Sequence, residues 1–218
     1  MNLLASIERY AAELEAIAIN AEPPAARWNQ DWFPRLDAAA AYAMVRTLRP
    51  KRIVEVGSGH STRFMARAVA DGELGTSITA IDPQPRATLD GLAVRWLKQP
   101  VQAVDIALFA ELEERDILFV DSSHRLEAGS DVEFLLEKAL PCLAQGVRVH
   151  FHDIFLPDPY PAAWAWRRYN EQQAVAPLIG GAYALEFASH PAKNINGVVA
   201  RLPLKAGAIE SSLWLCKR

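Results

Sequence analysis

Cysteine is scarce in this chain: among its 218 residues there are two. Cys142 and Cys216 are far apart, have no metal-type spacing, and each lies in an apolar run, LPCLA and LWLCK. That argues against a disulfide scaffold and a thiolate metal site, and both residues are expected as reduced core thiols in a cytoplasmic setting. An excess of charge is also missing. Lys and Arg number 23 against 26 Asp and Glu, a formal net charge of -3, and no basic run exceeds Trp166-Arg167-Arg168. A protein that neutralises many phosphates needs more positive charge than this, so polymeric nucleic acid is not expected as a partner. No uncharged apolar stretch approaches the ~18 residues of a membrane span, and Glu8 and Arg9 fall where an export signal needs its apolar centre. Internal repeats and low-complexity segments are absent. What remains is an ordinary globular composition, 51% hydrophobic and 22% charged, at a length that one domain with a short appendage accommodates.

Residues 3–19 place Leu3, Leu4, Ile7, Ala11, Leu14 and Ile17 at helical spacing, and Pro23-Pro24 stops that helix. A loop holding Trp28, Trp32 and Phe33 leads to a second helix over 36–48, ended by Pro50. The pattern then alternates apolar runs with helical segments. IVEV (53–56), SITAID (77–82), VRWL (94–97), DILFVD (116–121) and VRVHFHD (147–153) read as strands of a parallel sheet with right-handed crossovers. The prolines of 154–163 forbid regular structure there, while 162–176 is helical in composition. YALEFAS (183–189) and SSLWLCKR (211–218) read as a late strand pair, with GVVARL (197–202) a candidate for a further strand.

The most specific feature is Ile53-Val54-Glu55-Val56-Gly57-Ser58-Gly59-His60-Ser61-Thr62, an apolar strand entering a glycine turn and then a helix from Arg63 to Ala70. Gly57 and Gly59 let the backbone turn and approach a ligand, and the helix start offers unpaired N–H groups, as a nucleoside cofactor requires. A dinucleotide fingerprint needs a third glycine where Thr62 stands, which counts against NAD. Asp82, ending the second strand, has the chemistry to accept hydrogen bonds from ribose hydroxyls. Glu55 is a carboxylate that would repel a pyrophosphate and attract an ammonium and a sulfonium. An acidic-x-Gly-x-Gly strand end of this kind resembles the first motif of the class I S-adenosylmethionine-dependent methyltransferases.

The resemblance extends to Phe33-Pro34-Arg35-Leu36-Asp37, Phe119-Val120-Asp121-Ser122-Ser123-His124 and His150-Phe151-His152-Asp153-Ile154-Phe155-Leu156-Pro157, which look like a bacterial branch acting on small molecules. It implies an α/β, Rossmann-like three-layer fold with a mostly parallel seven-stranded sheet of order 3-2-1-4-5-7-6, the last strand antiparallel. Residues 1–50 would form a helical extension and 51–218 the S-adenosylmethionine-binding domain. The cofactor residues so implied are Glu55, Gly57, Ser58, Gly59, Ser61, Asp82, Asp121 and Ser122, with Pro100 and Val101 along the adenine. Asp105 reads instead as the cap of the helical Ile106-Ala107-Leu108-Phe109.

Asp121 and Asp153 each end a strand, at the edge where open parallel sheets bind ligands, so they should face one pocket with His124 and His152. Three uses of this cluster stay open. His124 or His152, with Asp153, acts on a substrate proton. Alternatively Asp121, His152 and Asp153 hold a divalent metal, as a resemblance to catechol-type O-methyltransferases implies; Ile154 stands where those enzymes place an amide, so manganese, iron or zinc is favoured over magnesium. In the third, His124 caps the next helix and His152 satisfies a backbone group. His60 is expected to touch the cofactor or cap its helix, and His190 to lie in a loop. Arg148, His150 and His152 share one strand face, so that face is expected to be open or to meet a second copy of the chain. Trp28, Trp32, Phe33, Tyr160, Trp164 and Trp166 are candidates for gripping a substrate ring, and Asp31 and Arg35 for a polar group or an ion pair. The expected reaction is methyl transfer to a hydroxyl, less favourably an amine, of a small metabolite. A metal-dependent enzyme of another reaction type, a non-catalytic cofactor-binding protein and an NAD-linked oxidoreductase are the alternatives.

Overall fold

The structure, a computed structural model, describes residues 2–192 and 196–218. Its centre is a seven-stranded sheet built from β1 (Arg52–Val56), β2 (Ser77–Ile81), β3 (Arg95–Leu97), β4 (Ile117–Val120), β5 (Arg148–Phe151), β6 (Tyr183–Ala188) and β7 (Leu213–Lys217). The spatial order is β3-β2-β1-β4-β5-β7-β6. The first five strands are parallel, and β7 runs antiparallel to both β5 and β6, as the resemblance implied.

Alternation along each strand divides the core in two. Val54, Val56, Leu118, Val120, Val149 and Phe151 point to one face, where Phe109, Leu112, Leu135 and Val175 cover them. Ile53, Ile117, Phe119 and Trp214 point to the other, beneath α1 (Leu3–Arg9), α3 (Arg35–Leu48) and α4 (His60–Asp71). Helix α3 is nearly solid core: Leu36 and Ala38 through Val45 are buried, because its run of alanines lets it lie close to the sheet. Burial on both sheet faces explains why β1 and β4 read as continuous apolar runs.

Several local expectations are corrected. The N-terminal helix is interrupted at Tyr10, giving α1 and then α2 (Ala11–Glu15), and it ends well before Pro23. The 162–176 segment splits into a 3₁₀ turn, Ala162–Arg167, and a helix, Glu171–Val175, because Arg168 takes a left-handed backbone with φ 59°. GVVARL adds no strand: Val198–Arg201 is a helical turn whose Val198 N–H donates to Glu8, and Val198 and Val199 pack into the core against α1 and α3. His190 sits in a short helix, Ser189–Ala192, with its Nε2 2.9 Å from Asp158. Cys142 and Cys216 are free and only partly buried. Among the described residues no helix is long and apolar enough to cross a membrane.

The polar face of β5 is also not as expected. His150 is fully buried under this chain's own residues, stacked on Phe119 with ring centroids 3.7 Å apart and 14° between planes, its Nε2 2.8 Å from Ser212 Oγ. Burial and the neighbouring His152 hold its pKa well below the usual histidine range, so it packs as a neutral aromatic. Arg148 pairs with Glu186 at 3.1 Å on β6. The strand face that suggested a second subunit is thus closed internally.

Candidate active site

At the C-terminal edge of the sheet the parallel ladder runs on past the strands. Gly57 N–H donates to Ile81 O, Asp121 N–H to Val56 O, and His152 N–H to Val120 O, at 3.0, 2.8 and 2.9 Å. Three site residues are therefore fixed side by side by main-chain bonds. Gly57 has φ +80°, and a β-carbon there would overlap the Asp121 carbonyl, so only glycine permits this approach. Beside it Ser58 donates from both N–H and Oγ to Asp82 Oδ2, at 2.9 and 3.0 Å.

A cleft of about 470 Å³ opens along this edge, lined by Gly57, Ser58, Asp82, Pro100, Val101, Asp121 and Ser122 among others. Seven of the residues expected at the cofactor are thus gathered there. Gln84, Arg86, Gln102, Ser123 and Asp131 line it too, and no sequence pattern marked them, because they lie in loops and short helical turns too brief to carry periodicity. Glu55, Gly59 and Ser61 do not line the cleft. Glu55 is wholly buried beneath the glycine turn, accepting from Ser61 Oγ at 2.5 Å and Thr62 Oγ1 at 2.6 Å. Burial pushes its pKa up to about 8, against the opposing pull of those hydroxyls, so it is largely a neutral acid that ties the turn to α4. Thr62 Oγ1 also accepts from Gly59 N–H at 3.0 Å, which gives the residue that displaced a third glycine its own task. His60 begins α4 and lines neither this cleft nor the next pocket. Asp105 accepts from Ala107 N–H at 2.9 Å at the head of its helix.

Asp121 also lines a second pocket, of about 180 Å³, together with His152, Asp153, Asp31, Trp32, Arg86, Trp164 and Arg167. Behind it the expected cluster is assembled. His124 Nε2 lies 3.2 Å from Asp121 and 3.4 Å from Asp153, and His152 Nδ1 lies 3.6 and 3.5 Å from the same two carboxylates. The outer nitrogens face further carboxylates: His124 Nδ1 is 2.8 Å from Glu171, and His152 Nε2 is 3.3 Å from Asp37. Burial favours the neutral imidazole, but these carboxylates outweigh it and hold both histidines well above their usual range. Burial likewise works against the Asp121 carboxylate, and His152 and His124 hold it well below. His124 and Asp153 both adopt left-handed backbone, φ 59° and 53°, conformations that non-glycine residues keep only where the surroundings enforce them. His124 is not a helix cap, since the following helix starts at Asp131 with Ser130 as its cap.

Asp37 and Glu171 were missed in the sequence, each lying in a helical segment far along the chain from its histidine. Asp37 accepts from Ser211 and Ser212 N–H at 3.0 Å each. Of the aromatic candidates, Trp28 and Phe33 are buried in the core, Trp32 and Trp164 line the second pocket, and Trp166 is exposed. Tyr160 accepts from Gln172 N–H at 3.1 Å. Arg35 pairs with Glu210 at 2.8 Å and Asp31 with Lys205 at 3.4 Å.

The strand order, the glycine turn and the carboxylates along the sheet edge together make the class I methyltransferase fold. Residues 54–154 match the family model described as a methyltransferase domain. The structure is similar in fold, over the whole chain, to the SAH-bound Podospora anserina methyltransferase PaMTH1, with a TM-score of 0.54, 16% identity and 88% of that chain covered. It is similar as well to the O-methyltransferase from Bacillus cereus in complex with SAH, with a TM-score of 0.50, 13% identity, and 100% of this chain and 91% of that chain covered. A stretch of 96 residues is 38% identical to an uncharacterized protein of Archaeoglobus fulgidus, covering 41% of this chain and 43% of that protein. The match thus spans less than half the length of that curated relative.

Proposed function

We propose that the protein transfers a methyl group from S-adenosylmethionine to a hydroxyl of a small metabolite. The observation that carries this reading is Asp121, which lines both the cofactor-sized cleft and the smaller pocket beside it, so that ligands in the two would meet at one carboxylate. S-adenosylmethionine, when bound, supplies an electrophilic methyl group. The chain's own contribution is alignment: Asp82, oriented by Ser58, suits the ribose, Asp121 suits the cationic end, and the second pocket holds the acceptor oxygen. Alignment of this kind is worth ~7–11 kcal/mol of barrier. His124 and His152 face the same space, and Glu171 and Asp37 fix their ring orientations, as a group that moves a substrate proton requires. Both hold a proton at rest, so either acts as base only after releasing it.

A second reading is favoured by the same outer carboxylates, since a metal-bound imidazole characteristically donates its other N–H to one. One imidazole and two carboxylates, His152, Asp121 and Asp153, form a donor set suited to a divalent transition metal, which would acidify the acceptor hydroxyl. Among the described residues no group of three or more such side chains is assembled as a metal cage; their heads pair with one another instead. Calorimetric titration with S-adenosylmethionine and with NAD tests the cofactor. Elemental analysis and the effect of a chelator on methyl transfer test the metal. Binding of NAD in preference to S-adenosylmethionine would overturn the reading.

A further inference from the structure

We infer that the acceptor carries an oxyanion in addition to the hydroxyl that is methylated, and that Arg86 and Arg167 recognise it. The inference rests on the methyl-transfer reading of the preceding section, and it names the class of acceptor.

The pocket beside the cofactor cleft has two chemically different ends. At its inner end Asp121 and Asp153 are each engaged by both histidines. Asp31, on the wall, is 3.4 Å from Lys205. Arg86 and Arg167 differ. Among the described residues neither guanidinium has a carboxylate partner, and each is instead laid against a tryptophan of the same pocket. Arg86 Cζ stands 4.6 Å from the Trp32 ring centroid, and Arg167 Cζ stands 4.1 Å from that of Trp164. Arg167 donates from Nη1 to Tyr169 OH at 3.1 Å, while its Nε is buried with no partner.

A buried N–H without an acceptor is costly, and one beside a pocket calls for a partner. Stacking on an indole fixes the guanidinium plane and leaves its edge free, and that edge matches the two oxygens of a carboxylate or phosphate. Two arginines laid against indoles on one small pocket, with no carboxylate partner among the described residues, therefore form a receptor for an oxyanion. The hydroxyl would then lie toward Asp121 and His152. A cavity of about 180 Å³ falls below the ~300–1,000 Å³ of pockets for drug-sized ligands, which fits a metabolite that spans only these two ends.

The test uses the full chain with and without S-adenosylhomocysteine. Binding of 3,4-dihydroxybenzoate and 3-hydroxybutyrate is compared with that of their neutral amides, and 4-hydroxyphenyl phosphate is compared with 4-hydroxybenzyl alcohol. The expected result is tighter binding of the anion in each pair. Arg86→Gln and Arg167→Gln should each reduce that preference about tenfold while leaving the affinity of the neutral member unchanged. Arg167→Lys, which keeps the charge but loses the fork, should retain part of the preference for phosphate and less of that for carboxylate. The size of the preference in the carboxylate pairs against that in the phosphate pair tells which oxyanion the site takes more tightly. No preference for anions in the wild-type chain, or equal losses for anion and neutral partner in the Gln variants, would overturn the inference. Failure of S-adenosylhomocysteine to bind would instead strike the methyl-transfer reading, since the anion preference is measured in its absence as well.

Discussion

Asp37 of α3 and His152 at the end of β5 face each other at 3.3 Å although 115 residues separate them. The carboxylate also accepts from the backbone of Ser211 and Ser212 and from the hydroxyl of Ser189, so it joins α3, the end of β6 and the start of β7 behind one histidine. The N-terminal fifty residues are in this way tied to the candidate site, where Asp37 holds the His152 ring.

Asp37→Asn removes the charge facing His152 and turns one acceptor into a donor against buried N–H groups. Breaking a buried charged contact costs about 3–5 kcal/mol, and denaturant unfolding should show a loss of that order. Asp37→Ser, which leaves room for water, should lower turnover more than it raises KM for the cofactor.

His152→Ala should lower the methyl-transfer rate about 10²- to 10⁴-fold, the range for a positioned proton-transfer group, with little change in S-adenosylmethionine affinity. Steady-state rates and calorimetry on the same sample decide this. Equal losses in rate and cofactor affinity would remove His152 from the chemistry.

The pH profile separates the two uses of the histidine cluster. The carboxylates raise both imidazole pKa values, so a histidine base is blocked by its own proton at neutral pH. The rate should then keep climbing as pH rises beyond the ordinary histidine value of ~6.5. A rate that instead requires added divalent metal and collapses with chelator favours the metal reading.

Glu55 should make stability fall with rising pH. Its folded-state pKa of about 8 exceeds the ordinary glutamate value of 4.5, so the folded chain binds the extra proton between those limits. Its contribution is fully present below that lower value and is lost as pH rises through about 8. Thermal melts across this window should show a declining Tm, and Glu55→Gln should flatten the decline.

Gly57→Ala should abolish cofactor binding. The new β-carbon meets the Asp121 carbonyl and the φ of +80° is unfavourable to alanine, so β1 and β4 must part where the cleft is formed. Titration with S-adenosylhomocysteine measures the loss.

The strands and the glycine turn were legible in the sequence because their signals are local. Alternating apolar runs report burial on two faces, and Gly57 and Gly59 report a backbone path that other residues cannot follow. Asp82, Asp121 and Asp153 were legible because a residue that ends a parallel strand must stand at the ligand edge. Tertiary structure alone decided the rest. It turned Glu55 from a cofactor ligand into a buried acid, because hydroxyls from α4 close over it. It covered His150 with Phe119 and Trp214, since α3 packs on a face that the polar residues of β5 suggested was open. It also brought Asp37 and Glu171 to the two histidines and matched Arg86 with Trp32 and Arg167 with Trp164. Periodicity states which way a residue faces within its own element, whereas these pairings depend on how separate elements meet.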